Sequence, residues 1–274
     1  MNKEEKLTKK LYGGYAEEEW KRLEENSYFW LEYETTMNFL KKYLPKKGLI
    51  LDAGGGPGRY TIKLAKKNYN VTLLDLVPEN LKIAKKQIKK AKVENKVKEI
   101  VEGSIIDLSK FKDNSFDAVI CLGGPLSHVG PEKNRKKAIS ELIRVAKKNA
   151  LIFISVMGKF GVLMNSLRIR QNDIKLKSFE KLYKDGEDNI WRKKGYCHFF
   201  TAEEFENSLK KENIRIIDKI GLEGIATPSR QITKELFKKE PLIKKNWLKM
   251  HYNTCRHPTV VDLSAHIMII VKKK

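Results

Sequence analysis

Few of the residue types that build covalent or metal frameworks occur in this chain. Its 274 residues include three cysteines, Cys121, Cys197 and Cys255. They are too few and too widely spaced for a disulfide framework, which points to a reducing compartment. Histidine is scarce at five. His251, Cys255 and His257, with Cys197 and His198 elsewhere, have the composition of a zinc site but no C-x-x-C or paired-ligand knuckle, so no metal is expected. Long apolar runs are missing as well. The longest, at 150–157 and 265–271, are too short to span a bilayer, and the opening MNKEEKLTKK has no apolar stretch for a signal peptide. A cytoplasmic protein without a membrane partner is expected.

Acidic residues are the minority, 34 against 56 basic ones, for a net charge of +22. Such a balance invites a nucleic-acid partner, because a basic surface attracts phosphate without sequence preference. The kind of base argues the other way. Only 10 of the 56 are arginine, leaving 46 lysines scattered among the acids. Mixed Lys and Glu is also a thermophile's surface signature, and lysine lacks the bidentate fork that suits phosphate. A solvated, charged surface is the simpler reading, and nucleic acid stays open as an alternative.

What is present is a glycine loop between two acidic strand ends. Residues 49–51 are a short apolar run of the kind buried on both faces of a parallel sheet, and Asp52 closes it. Gly54, Gly56 and Gly58 then let the backbone turn close to a ligand, and a helix with Ile62, Leu64 and Ala65 on its apolar face follows. A dinucleotide fingerprint needs a third glycine where Arg59 stands, so that reading fails. Residues 69–76 form a second strand ending near Asp75, placed to accept hydrogen bonds from a ribose diol. Asp52 would repel a pyrophosphate and suits a cationic group.

The acidic residue followed by G-x-G-x-G, with a second acidic residue ending the next strand, resembles the class I S-adenosylmethionine-dependent methyltransferases. The resemblance covers residues 48–156 closely and the C-terminal strands loosely. It implies a doubly wound, Rossmann-like α/β fold with a seven-stranded sheet, mostly parallel with an antiparallel last strand. It also implies S-adenosylmethionine as cofactor and S-adenosylhomocysteine as product. The cofactor wall would comprise Asp52, Gly54, Gly56, Gly58, Arg59, Asp75, Leu76, Ser104, Ile105 and Leu122. Asp52 would engage the cofactor's amino end, Asp75 its ribose and Arg59 its carboxylate. Ser104 stands where the family usually has an acid beside the adenine. The loop at 123–128 is not the N-P-P-Y or D-P-P-Y segment of methyltransferases acting on exocyclic base nitrogens.

The remaining chain is organised around this core. Residues 1–47 form an N-terminal helical cover with helices at 16–25 and 28–43, and 48–274 form the main domain. Insertions at about 157–200 and 221–258 carry aromatic residues fit to build a substrate cover, with 191–200 as a strand or lid. Strands are predicted at 96–101, 116–122, 151–156, 214–220 and 260–271, and Thr201 caps a helix with Glu204 three residues on. His128, after the fourth strand, is a candidate general base or a loop histidine bonded to backbone. His266 reads as a paired strand residue. Tyr12, Tyr15, Tyr196 and His198 are candidates for the substrate wall. The function expected is methyl transfer to an oxygen or nitrogen of a small molecule. An RNA or protein acceptor, and a non-catalytic binder of S-adenosylmethionine, stand as alternatives.

Overall fold

The structure is a computed structural model describing residues 1–169, 171–188, 195–236 and 238–274. Its centre is a seven-stranded sheet made of β1 (Leu49–Ala53), β2 (Asn70–Asp75), β3 (Val97–Glu102), β4 (Phe116–Cys121), β5 (Ala146–Met157), β8 (Ile214–Gly221) and β9 (His266–Lys273). Two short strands outside it, β6 (Glu187–Asp188) and β7 (Cys197–His198), pair with each other. The order across the sheet is β3-β2-β1-β4-β5-β9-β8. The first five strands pair in parallel, and β9 lies antiparallel between β5 and β8. The seven-stranded, mostly parallel sheet is therefore present, with the antiparallel strand last in the chain.

Alternation along the strands sends neighbours into opposite layers. Leu51, Val119 and Ile154 join one apolar cluster with Leu142 of α6 (Glu132–Val145) and Phe205 of α9 (Ala202–Lys210). Ile50, Ala118 and Phe153 join the other with Leu64 of α4 (Arg59–Lys66) and Phe39 and Leu40 of α3 (Ser27–Tyr43). The last of these helices completes a layer of the sheet rather than merely covering it. The order reverses at β1 and β4, so a crevice opens at their carboxyl ends, where open α/β sheets bind ligands.

Three predicted elements differ. Residues 1–47 hold three helices, not two: α1 (Lys3–Gly13), α2 (Ala16–Arg22) and α3. The first has no buried residue and is carried by its own capping box from Asn2 to Glu5, which an apolar-face search passes over. The strand expected at 260–271 begins only at His266, because Pro258 opens a helix, α12 (Pro258–Leu263), ahead of it. The fifth strand starts at Ala146 instead of 151, with a register shift against β4 and Asn149 at φ 66° taking up the extra residues. The insertions contain α7 (Lys159–Ile169), α8 (Lys177–Asp185), α10 (Arg230–Leu236) and α11 (Pro241–Thr254), with 3-10 turns between α7 and α8 and ahead of α10. Among the described residues no helix is long and apolar enough to cross a membrane.

Since Leu40 is fully buried between α3 and the sheet, Leu40→Ala should destabilise the protein by about 2–5 kcal/mol. The urea midpoint of the full chain checks this; a shift typical of an exposed site would mean that α3 is not part of the core.

Candidate functional site

The crevice holds a cavity of about 410 Å³, within the range of small-molecule sites. One end is the glycine loop. Gly54 and Gly56 line it at positive φ, 74° and 55°, a conformation that L side chains rarely adopt. The loop is tied to β2: the amides of Gly54 and Gly55 both donate to the Leu74 carbonyl, at 2.7 and 3.1 Å. Asp75 completes the tie. Its carboxylate accepts from Gly56 N at 2.8 Å, Val77 N at 2.9 Å and Asn80 Nδ2 at 3.2 Å. Burial raises the pKa of this acid, and those three bonds oppose the rise. About one of its roughly four lone-pair sites is left for a ligand.

Leu76, Ser104, Ile105 and Leu122 stand on the same wall, as does Arg59. The Ser104 hydroxyl accepts from Ile106 N at 3.1 Å and so shapes its own loop. Arg59 turns toward α2. Its guanidinium lies 4.4 Å from the Trp20 ring and bonds Glu24 and the Trp20 carbonyl, so the carboxylate role expected of it meets groups already in place.

Asp52 and Gly58 are not on the wall. Gly58 caps α4 at φ 82°, and a Cβ there would meet that of Ala84 at 3.2 Å, so its task is close packing. Asp52 lies fully buried beneath Gly55, whose missing Cβ would stand 2.5 Å from the Asp52 carboxyl carbon. Oδ2 accepts from the Thr61 hydroxyl at 2.6 Å, while Oδ1 is buried without a partner. The carboxyl supports the loop from below rather than touching what lies above it.

The other end of the cavity is walled by α1 and α2, the loop after β4, and the start of β9. Tyr12, Tyr15 and His128 line it together. The Tyr196 carbonyl, 3.2 Å from His128 Nδ1, can only accept, so Nδ1 carries the proton and Nε2 receives the Tyr12 hydroxyl at 2.8 Å. His128 thus makes the backbone bond of its plainer reading while its second nitrogen faces α1.

Tyr196 and His198 are brought together but behind the cavity. The Tyr196 hydroxyl donates to Glu187 at 2.6 Å and meets Arg135. His198 bridges Glu187 at 3.0 Å and Glu204 at 2.6 Å. Burial pulls the His198 imidazole down, and these two carboxylates outweigh it and raise it. The pair fastens β6 and β7 to the core, and 196–200 is buried throughout rather than a free lid. Trp191, from the aromatic segment at 191–200, lies outside the described residues. Of the residues with zinc-type chemistry, His251 bonds Thr35 at 2.8 Å, and Cys197 lies 3.4 Å from the Met157 sulfur.

A buried charge network at this end has little signature in the sequence. Glu32 and Glu223 are each fully buried. Arg22 reaches Glu32 with two nitrogens, at 2.6 and 3.2 Å. Glu223 takes His266 Nδ1 at 2.6 Å and the His266 amide at 2.9 Å. Arg22 and His266 both line the cavity. His266 is indeed a paired strand residue, opposite Met157, but its ring belongs to the site. The available hint was a glutamate within the buried stripe of α3, between Tyr28 and Thr36.

The sequence pattern of a family described as a methyltransferase domain matches residues 51–154. The glycine/sarcosine N-methyltransferase of Parasynechococcus marenigrum (strain WH8102) is 26% identical over 140 residues, 50% of this chain and 49% of that protein. The ubiquinone biosynthesis O-methyltransferase of Rickettsia akari (strain Hartford) is 32% identical over 111 residues, 40% of each. The chain spans about half the length of the curated relatives it matches. In fold, it is similar to a SAM-dependent methyltransferase from Methanosarcina mazei, with a TM-score of 0.58 at 22% identity over 86% of this chain and 96% of that one.

Asp52 offers a test of the loop's support. Burial pushes its carboxyl up to about 7, the Thr61 bond opposing and Asp75 adding. A folded value above the unfolded one of about 3.9 means that the folded state holds the proton more tightly, so stability falls as pH rises from about 4 toward 7. Asp52→Asn should therefore raise the ligand-free urea stability at pH 8 by on the order of a few kcal/mol, with a smaller gain at pH 4.5. Equal effects at both values would show that the carboxyl is ionised in the fold.

Proposed function

We propose that the protein is a class I S-adenosylmethionine-dependent methyltransferase, residues 51–154 matching the pattern of a methyltransferase domain, and that it methylates an oxygen or nitrogen atom of a small-molecule acceptor. The observation that carries this reading is one cavity running from the Asp75 loop to a second end walled by α1, α2 and β9. The two relatives named above act, by their names, on small molecules.

The residues present fit the cofactor. Leu76, Ile105 and Ile106 form an apolar wall for a purine, Asp75 has acceptor capacity for a ribose diol, and Gly54 and Gly56 present backbone without side chains. Gly58 and Asp52 act one layer down, positioning that loop. S-adenosylmethionine supplies an electrophilic methyl group on a sulfonium. The chain's own task is to hold the acceptor in line with it and to exclude water. Tyr12, Tyr15 and His128 are the acceptor-side candidates. His128 could take a proton at Nε2 only after the Tyr12 hydroxyl moves from it, which links the base to α1.

The basic surface carries the alternative of an RNA or protein acceptor. One basic cluster, Lys148, Arg215 and Lys272 to Lys274, lies at the amino end of β5 and the far end of β9, at the end of the sheet opposite the cavity. That placement favours an acceptor held in the cavity. Incubating a cell extract with the protein and isotopically labelled S-adenosylmethionine, followed by mass spectrometry, should reveal label in a small molecule. Label confined to RNA or protein would overturn the reading.

Two further outcomes are expected. Asp75→Ala should weaken S-adenosylhomocysteine binding by about 1.5–3 kcal/mol, measured by calorimetry, and unchanged affinity would remove Asp75 from the site. The first helix has no buried residue and is held by Lys9–Glu102 at 2.6 Å and by Tyr12–His128, as befits a closing element. Its amides should gain protection from hydrogen exchange when S-adenosylhomocysteine is added. Strong and equal protection in both states would make it a permanent wall.

A further inference from the structure

The acceptor end of the cavity holds a charge network. Glu32 from α3 pairs with Arg22 from α2, which Glu19 also meets through Nε at 3.0 Å, and Glu223 from the turn after β8 pairs with His266. Three carboxylates around one guanidinium and one imidazole favour the protonated ring. Burial pulls His266 down, but the Glu32 and Glu223 carboxylates outweigh it, with Arg22 opposing them, and push it up to about 8. Glu223 grips both Nδ1 and the backbone amide, which fixes the ring. Nε2 has no partner among the described residues and is not shut away from the cavity that the ring lines.

Arg230 stands outside these ion pairs. It lines the same cavity, with its guanidinium 4.4 Å from the Phe29 ring and 5.3 Å from that of Tyr28. Among the described residues no carboxylate pairs with it and no hydrogen bond from its guanidinium is formed. The aromatic faces hold the plane in place while leaving its N–H edge for a ligand. A guanidinium and a carboxylate-backed N–H donor that line one cavity supply the chemistry of a charge-assisted acid clamp.

We propose that the Arg230 guanidinium and His266 Nε2–H bind an acidic group, a carboxylate or a phosphate monoester, carried by the methyl acceptor. The assignment rests on the methyltransferase reading for the word acceptor, but the clamp can be tested without catalysis. Arg22 and Glu223 are positioning residues here: the first balances Glu32, and the second orients the imidazole. Because the His266 proton is needed, binding is fully present below about pH 8 and weakens as pH rises through that value. The competing occupant is the carboxylate of S-adenosylmethionine itself, and the donor's affinity separates the two.

The full chain, saturated with S-adenosylhomocysteine, is titrated calorimetrically with acetate, benzoate and inorganic phosphate, and with acetamide and benzamide as uncharged controls. The expected result at pH 6.5 is at least one acid binding tenfold or more tightly than its control. That preference should be lost in Arg230→Gln and reduced at pH 9. Arg230→Lys should retain part of it. In His266→Gln the fall between pH 6.5 and 9 should disappear. Preference for acetate or benzoate assigns a carboxylate, and preference for phosphate assigns a phosphorylated acceptor. Equal binding of acids and amides, or no binding of either, overturns the proposal. So does a tenfold loss of S-adenosylhomocysteine affinity in Arg230→Gln, which gives the clamp to the donor. If no compound in the extract is methylated while the acid preference stands, the methyltransferase reading fails and the clamp survives.

Discussion

Two glutamates buried without solvent, Glu32 and Glu223, constrain this structure more than any apolar contact. A carboxylate in the interior is tolerated only when cations and hydrogen bonds replace its water, and removing one partner of such a pair typically costs about 3–5 kcal/mol. Arg22 and His266 meet that demand. In doing so they join α2, α3, the turn after β8 and the first residue of β9, elements from opposite ends of the chain. The N-terminal segment is thereby fastened beside the sheet's last strand, and the cavity gains its second end.

The first end depends on a different economy of contacts. The glycine loop has few side chains to pack, so it is held by main-chain amides donating to Leu74 and Asp75 from above and by the Asp52 carboxyl with Thr61 below. The two acids divide the labour: Asp75, on the cavity wall, both shapes the loop and faces what it holds, whereas Asp52 is sealed under Gly55. Neutral or charged, Asp52 influences the cofactor end through the backbone it supports.

The first helix, α1, has no fully buried residue and lines the cavity with Thr8, Leu11 and Tyr12. Its polar contacts to the rest of the chain include Lys9 to Glu102 and Tyr12 to His128. Those are contacts that can open at small cost compared with the packed layer formed by α3.

The apolar runs, the helical apolar patterns, the paired acidic strand ends and the glycine spacing determined the strand–loop–helix at the centre of the sheet, because each is a local signal repeated within a few residues, and the resemblance they carry implied the seven-stranded, mostly parallel sheet. Boundaries failed where a local signal was ambiguous: Val260 and Val261 look like strand, yet Pro258 starts a helix there, and Asn149 looks like a turn yet sits inside a bulged strand. Only the tertiary structure decided that Asp52 and Gly58 support the loop instead of lining it, and that Tyr196 and His198 stand behind the wall. Only it could join Arg22, Glu32, Glu223, Arg230 and His266, which are separated by up to some 240 positions in the chain. Charge pairing across such distances leaves no periodicity to read; it exists only once burial removes the water that would otherwise satisfy each group.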